Sequence, residues 1–485
     1  MAKNRITQII KPYFDWLDNL LGHLANEANQ NNVSAGDIAR DFLSIPRRCK
    51  IFNEEGMPAL RDFVMDFWKI NESIIDTEIQ SLPGLKARFG GDLGPQFKDH
   101  LFERIGLYFE TVIVPDPLLR VFMMPTIADK NRDYYVLKYA ISLLQFKDIY
   151  LADVFPPIAV LVTDPELTKP NAISEGIGKL ARIDCVAITN KLYEENLESF
   201  DEAISFFQKF SSPENAVKNI VRPELFFIDE TVSKEPLSQF ESYKEHLHKN
   251  FSLEKMADEW KGGQMFWFLL VSRIFQANDV LHQASTQNAH PLIQAPVSFH
   301  WLKLKAETNQ ELISKELGTD INVELLKTNA LLSKEFDWLS NVPLNTLVEF
   351  RQKGRLEEFR KLVSKDFNQL SDLSLQDVSR VTNQVDYNLS TAFEQHQEKM
   401  QELNTNLKQE MVISVPTLLL SITAALQPIF ASTFPAWLVP VGGIVGAAKL
   451  KDVITAAAKY YRERKSLGKT PVGILWEAKK QSDDS

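Results

Sequence analysis

The sequence predicts a mainly α-helical protein: a multi-helical soluble region with a small α/β or mixed centre, a long amphipathic helix, and a C-terminal hydrophobic helical hairpin. Three observations predict it. Apolar residues recur at three- and four-residue spacings over most of the chain, the period of a helix with one buried face. A narrow apolar stripe then runs from Val378 through Val381, Val385, Leu389, Phe393, His396, Met400, Leu403 and Leu407 to Met411. Its average step of about 3.7 residues is helical. Finally, residues 411–448 carry no charged side chain, in a chain whose net charge is −10.

The elements follow in order. In residues 1–155, Ile9, Phe14, Leu17, Leu20 and Leu21 fit one helix face. Ser34 with Asp37 three residues later reads as a helix start before Ile38, Phe42 and Leu43. The same pattern recurs over 57–82, 97–114 and 134–146. Residues 156–340 form a mixed, mainly helical middle domain. Three short apolar runs are expected as buried strands: TVIV at 111–114, AVLV at 159–162 and LFFI at 225–228. The apolar run 265–271 is too short to span a bilayer and is expected as a core helix. Residues 341–410 form a charged amphipathic helical arm, 411–448 the hairpin, expected to be transmembrane, and 449–485 a basic tail.

Composition narrows the function. The chain has 485 residues, 44% hydrophobic and 24% charged, the balance of a folded, core-forming protein of several domains. Its acidity argues against nucleic acid as a partner, because such binding needs a basic face to displace counterions. The tail from 449 onward is nevertheless net +4. Two cysteines, Cys49 and Cys185, form no paired motif, which fits a reducing compartment. The N-terminal stretch has neither an uninterrupted apolar core nor a small-residue cleavage site, so a secretory signal is not expected.

The uncharged run carries the strongest functional signal. As one helix its 38 residues would extend roughly 57 Å, against a hydrocarbon core of about 30 Å. Folded in half, each limb matches one crossing. A hinge lies near the middle, at residues 432–436 with Pro435 inside it and Pro428 ahead of it. Leu419 sits within the first limb. Trp437 is placed close to the hinge, where an interfacial anchor belongs. Gly442, Gly443 and Gly446 give small surfaces for close helix contact. Lys449, Lys451, Arg462, Arg464 and Lys465 follow the run and place its flanks at the cytoplasmic face of the inner membrane. The polar Ser, Thr and Gln residues of the first limb and Pro440 in the second leave another location open. In that case the hairpin is buried in a soluble core or an oligomer interface and the protein is cytoplasmic.

Chemical motifs are sparse. Asp116, Asp164 and Asp229 each follow an expected strand, where converging carboxylates can hold magnesium for a hydrolase. Aspartate before proline or glutamate is also an ordinary turn residue. GIGKL at 176–180 lacks the first glycine and the Ser or Thr of a phosphate loop. His246, His248, His282, His290 and His300 lack zinc-ligand spacing. PRRCK at 46–50 is a small basic patch, expected as a solvated loop. No cofactor or resident metal is implied, and no catalytic signature is complete.

The expectation is therefore a membrane-associated effector or anchor with a cytoplasmic sensing region, of the kind that disrupts its own bacterial membrane in abortive infection against phage. Membrane lipid is the expected partner, with a protein partner or self-association beside it. The alternative is a soluble helical scaffold, and behind it a metal-dependent hydrolase.

Overall fold

The computed structural model describes residues 5–91, 100–124, 129–164, 170–228, 235–250, 261–308, 326–327, 330–332, 334–365, 378–414, 459–460 and 462–483. It is mainly helical, with one small parallel sheet. The chain divides into two compact units. The first comprises residues 1–357 and 366–383, the second 358–365 and 384–485.

The sheet of the first unit has four strands: β1 (Lys86–Gly90), β2 (Thr111–Pro115), β3 (Ala159–Val162) and β4 (His290–Ile293). Their order is β3-β2-β1-β4, all parallel. The chain winds outward from β1 to β3, then crosses back to lay β4 on the other side of β1. Arg88 is in register with Ile113 on one side and Pro291 on the other. Pro291 is tolerated because β4 ends the sheet order, and an edge strand can spare one ladder donor. β2 and β3 are buried throughout, as expected for parallel strands covered on both faces.

Two helices close one face. Lys86, Arg88 and Gly90 alternate onto it. The Lys86 ammonium donates to the Ile79 carbonyl of the helix Met57–Ser81, 3.1 Å away. A side chain at Gly90 would fall 2.5 Å from Val280 on the helix Gln264–Thr286, so glycine there lets that helix approach. The next residue, Gly91, turns the chain out of the strand at φ +79°, and its carbonyl accepts from Ser298 Oγ.

Several expectations hold. Ser34 caps the helix Ala35–Ser44, accepting from the Asp37 amide at 3.1 Å. TVIV and AVLV are strands, 265–271 lies inside a core helix, and GIGKL lies inside the helix Pro170–Tyr193. Others are corrected. LFFI is not a strand: Pro223–Leu225 is a 3-10 turn, and side chains take the partners a ladder would supply. Trp301 Nε1 donates to the Phe227 carbonyl at 2.9 Å, and the Ile228 amide donates to Gln239 Oε1 at 2.9 Å. Residues 1–155 are not purely helical, since they contribute β1 and β2 to the sheet. The 97–114 segment is helical only over Leu101–Ile105 among its described residues.

In the second unit the amphipathic stretch is a helix, Val378–Ser414, whose first residues belong to the first unit. Val385, Leu389, Phe393 and His396 are its buried stripe there. Among the described residues, no helix is long and apolar enough to cross a membrane.

Candidate functional site

Strand β1, the crossover from β2 to β3 and the crossover from β3 to β4 bring polar side chains to the carboxyl end of the sheet. Arg88 comes from β1, Arg120 from the helix Pro117–Met123 that follows β2, and Asp164 from just past β3. Asp279 and Gln283 come from one face of the helix that precedes β4. All are buried or nearly so; the Arg88 residue is 1% exposed and the Arg120 side chain 15%.

The bonds form one network. Arg120 holds Asp164 Oδ2 with two nitrogens, Nε at 2.9 Å and Nη2 at 2.7 Å. Gln283 Nε2 donates to Asp164 Oδ1 at 2.7 Å and to Asp279 Oδ1 at 2.6 Å, while its Oε1 accepts from Arg88 Nη2. The amide thus turns its oxygen to the guanidinium and its nitrogen to the two carboxylates. Thr163 Oγ1 donates to Glu72 at 3.0 Å beside the network. The second terminal nitrogen of Arg88, Nη1, is buried without an acceptor among the described residues.

The electrostatics follow from this wiring. Burial alone would raise the Asp164 carboxyl, but the charges of Arg120 and Arg88 and the bonds from Arg120 and Gln283 hold it below the usual carboxylate range. Asp279 goes the other way. Burial and the neighbouring Asp164 charge push it up to about 6, against the pull of the Gln283 bond and the two arginines. Burial lowers Arg88 to about 10, leaving it charged at neutral pH.

Asp116 is placed differently. It caps the helix Pro117–Met123, accepting from the Leu118 and Leu119 amides at 2.8 and 3.4 Å through Oδ1. Its Oδ2 accepts from Tyr13 at 2.7 Å and Trp68 Nε1 at 2.5 Å. Burial raises its carboxyl, outweighing these four bonds. Of the three aspartates read from sequence, the structure places Asp116 and Asp164 in separate bonding sets, and Asp229 lies outside the described residues. No three His, Cys, Asp or Glu side chains cluster as around a metal ion among the described residues.

Arg88, Arg120, Asp279 and Gln283 were not singled out by sequence. The available signals were weak: two basic residues inside the apolar KARFG strand, and Asp279 with Gln283 one helical turn apart in a helix whose buried residues are otherwise apolar except Asn278. A second buried polar set is closed. Lys305 Nζ donates to Asn278 Oδ1 at 2.6 Å and lies 3.5 Å from Asp184, to which Asn278 also donates at 2.8 Å.

In the second unit, the segment after the uncharged run packs on the helix before it. Trp476 lies 5.9 Å from Phe393 between ring centroids, and the Lys479 ammonium 5.5 Å over the Phe393 ring. Gly473 faces the His396 ring, 3.1 Å from where its side chain would start. Thr470 caps the returning helix Pro471–Asp483, accepting from the Gly473 amide at 3.1 Å. Burial lowers the pKa of His396, with Lys399 adding to the effect and Glu477 opposing it. Arg462, Arg464 and Lys465 are exposed. Leu419, Pro428, Pro435, Trp437, Gly442, Gly443, Gly446, Lys449 and Lys451 lie outside the described residues, as do all residues of the run beyond Ser414.

No protein-family model, curated protein or solved structure matches the chain.

Proposed function

We propose that the chain is a membrane-associated effector or anchor, in which a helical and α/β region receives a signal and the run 411–448 enters the cytoplasmic membrane as a hairpin. The observation that carries this reading is the return of the chain. Phe393, ahead of the uncharged run, packs on Trp476 behind it. A segment held at both ends by one unit can enter a bilayer only by turning back to the side it left. The exposed Arg462, Arg464 and Lys465 beyond the run favour the cytoplasmic side for that return. Disruption of the cell's own membrane is the finer form of the proposal, read by depolarisation after expression.

Fractionation tests it. Full-length protein is expected in membranes after a carbonate wash, and a chain ending at Glu410 in the soluble fraction. Leu419→Arg with Ile444→Arg is expected to abolish retention, since arginine near the bilayer centre costs ~2.5–3.5 kcal/mol per residue on insertion scales. Soluble full-length protein, or a double variant retained like the wild type, overturns the reading in favour of a hairpin buried in a core or an oligomer interface.

A further inference from the structure

We propose that the carboxyl end of the sheet binds a neutral, polyhydroxylated small molecule of the sugar or ribonucleoside class, one hydroxyl of which accepts from Arg88 Nη1 and donates to the Asp279 carboxylate. The proposal deepens the sensing role assigned above to the first unit, and it rests on that reading only for the consequence of binding.

Topology sets the network beside the switch point of the sheet. In open sheets of parallel strands, ligands sit beyond the carboxyl ends where the winding reverses, because two crossovers diverge there and leave a crevice. Here the reversal falls between β1 and β4. Arg88 lies in β1, two residues before its end. The partner groups arrive from the crossovers that follow β2 and β3 and from the helix leading into β4.

Hydrogen-bond accounting selects the chemistry. A buried guanidinium N–H without an acceptor is costly, and such orphans are rare in folded proteins. Arg88 Nη1 is one among the described residues, on a residue 1% exposed. Its other terminal nitrogen and Asp279 Oδ1 bond the two ends of the same Gln283 amide. A hydroxyl bridging Arg88 Nη1 and Asp279 would sit beside that amide. The partly exposed Arg120 connects the network to the surface.

Charge excludes the other ligand classes. The groups facing Asp279 are Asp164, Arg120, Arg88 and Gln283, and Arg88 also feels Asp76. Two guanidiniums stand against Asp164 and Asp279, with Asp76 as a third carboxylate felt by Arg88, so the cluster carries no excess positive charge for an anion. A phosphate would add negative charge beside Asp164 and Asp279 at low dielectric, and a metal ion would meet two guanidiniums. A hydroxyl adds no charge and both accepts and donates. Asp279 is held above its ordinary range by burial and by Asp164, so a further donor favours its ionised form. Binding is accordingly expected to tighten as pH rises through about 6.

Calorimetric titration of the full-length protein tests the assignment, with D-ribose, D-glucose, adenosine, 2′,3′-dideoxyadenosine and inorganic phosphate as probes. Saturable binding of at least one hydroxyl-bearing probe is expected. Binding by adenosine assigns the nucleoside source, and dideoxyadenosine should then bind about tenfold more weakly; binding by a sugar alone assigns the free sugar. Asp279→Asn should weaken the bound probe about tenfold without lowering thermal stability, and Arg88→Lys should weaken it as well. No saturable binding of ribose, glucose or adenosine, binding of phosphate alone, or an Asp279→Asn protein that binds like the wild type overturns the proposal. None of these readings depends on membrane retention, so its failure and that of the membrane reading are separable.

Discussion

The two units treat charge in opposite ways. The first buries it: Arg88, Asp164 and Asp279 are all less than a tenth exposed and are wired through Gln283. The second unit contains a stretch of 38 residues from which charge is missing altogether, between flanks that pack on each other. Buried charge is costly, so a folded chain keeps it where partners or a task compensate. Missing charge over such a length costs solubility, so it points to a surface that water does not meet. The first signal exists only after folding, because its members are up to 195 residues apart. The second can be read along the chain.

The contrast can be broken first at Arg120. Arg120→Met removes the two-nitrogen clamp on Asp164 and leaves a buried carboxylate short of its main partner. A loss of about 3–5 kcal/mol in denaturant unfolding is expected. A loss below about 1 kcal/mol would mean that water already compensates the network. Asp116→Ala is expected to cost about 2–4 kcal/mol, because it strips an N-cap and orphans Trp68 Nε1 and the Tyr13 hydroxyl.

Asp279→Asn should act with the opposite sign. The native carboxyl titrates at about 6, above the roughly 3.9 of an unfolded chain. Between those values the native state holds the proton that the unfolded state has released, so stability falls as pH rises through the window. The asparagine variant escapes that loss. It should be more stable than the wild type by about 2 kcal/mol at pH 7.5, with the difference closing below pH 4. Thermal melts across that range check it; a variant less stable at pH 7.5 would contradict the burial argument. The smallest effect is expected at Trp476→Leu, which keeps most of the apolar contact and removes the ring pair with Phe393, roughly 1 kcal/mol. Hydrogen exchange should report it over Pro471–Asp483 and not in β1–β4.

What was legible in the sequence follows the same division. Period and run length revealed the helices, the amphipathic Val378–Ser414 among them, and two strands, since each depends on neighbours within a few residues. β1 was missed because Lys86 and Arg88 break its apolar run, and β4 because Pro291 sits inside it. LFFI misled because apolar residues can bury around a turn whose backbone bonds to Trp301 and Gln239. Asp116 and Asp164 stood out as acids after strands, VPDP and TDPE, yet that context does not tell a saturated helix cap from a member of an open network. The difference lies in Trp68 and Tyr13 for one and in Arg120 and Gln283 for the other. Only the fold brings these together.

A membrane hairpin requires the uncharged run to leave and re-enter on one side of the bilayer. Thiol labelling tests it most directly, with single cysteines at positions 410 and 466 in a full-length chain lacking Cys49 and Cys185, using a membrane-impermeant reagent on sealed vesicles of each orientation. Both positions are expected to react in inside-out vesicles and neither in right-side-out ones. Labelling of the two positions from opposite sides would contradict it.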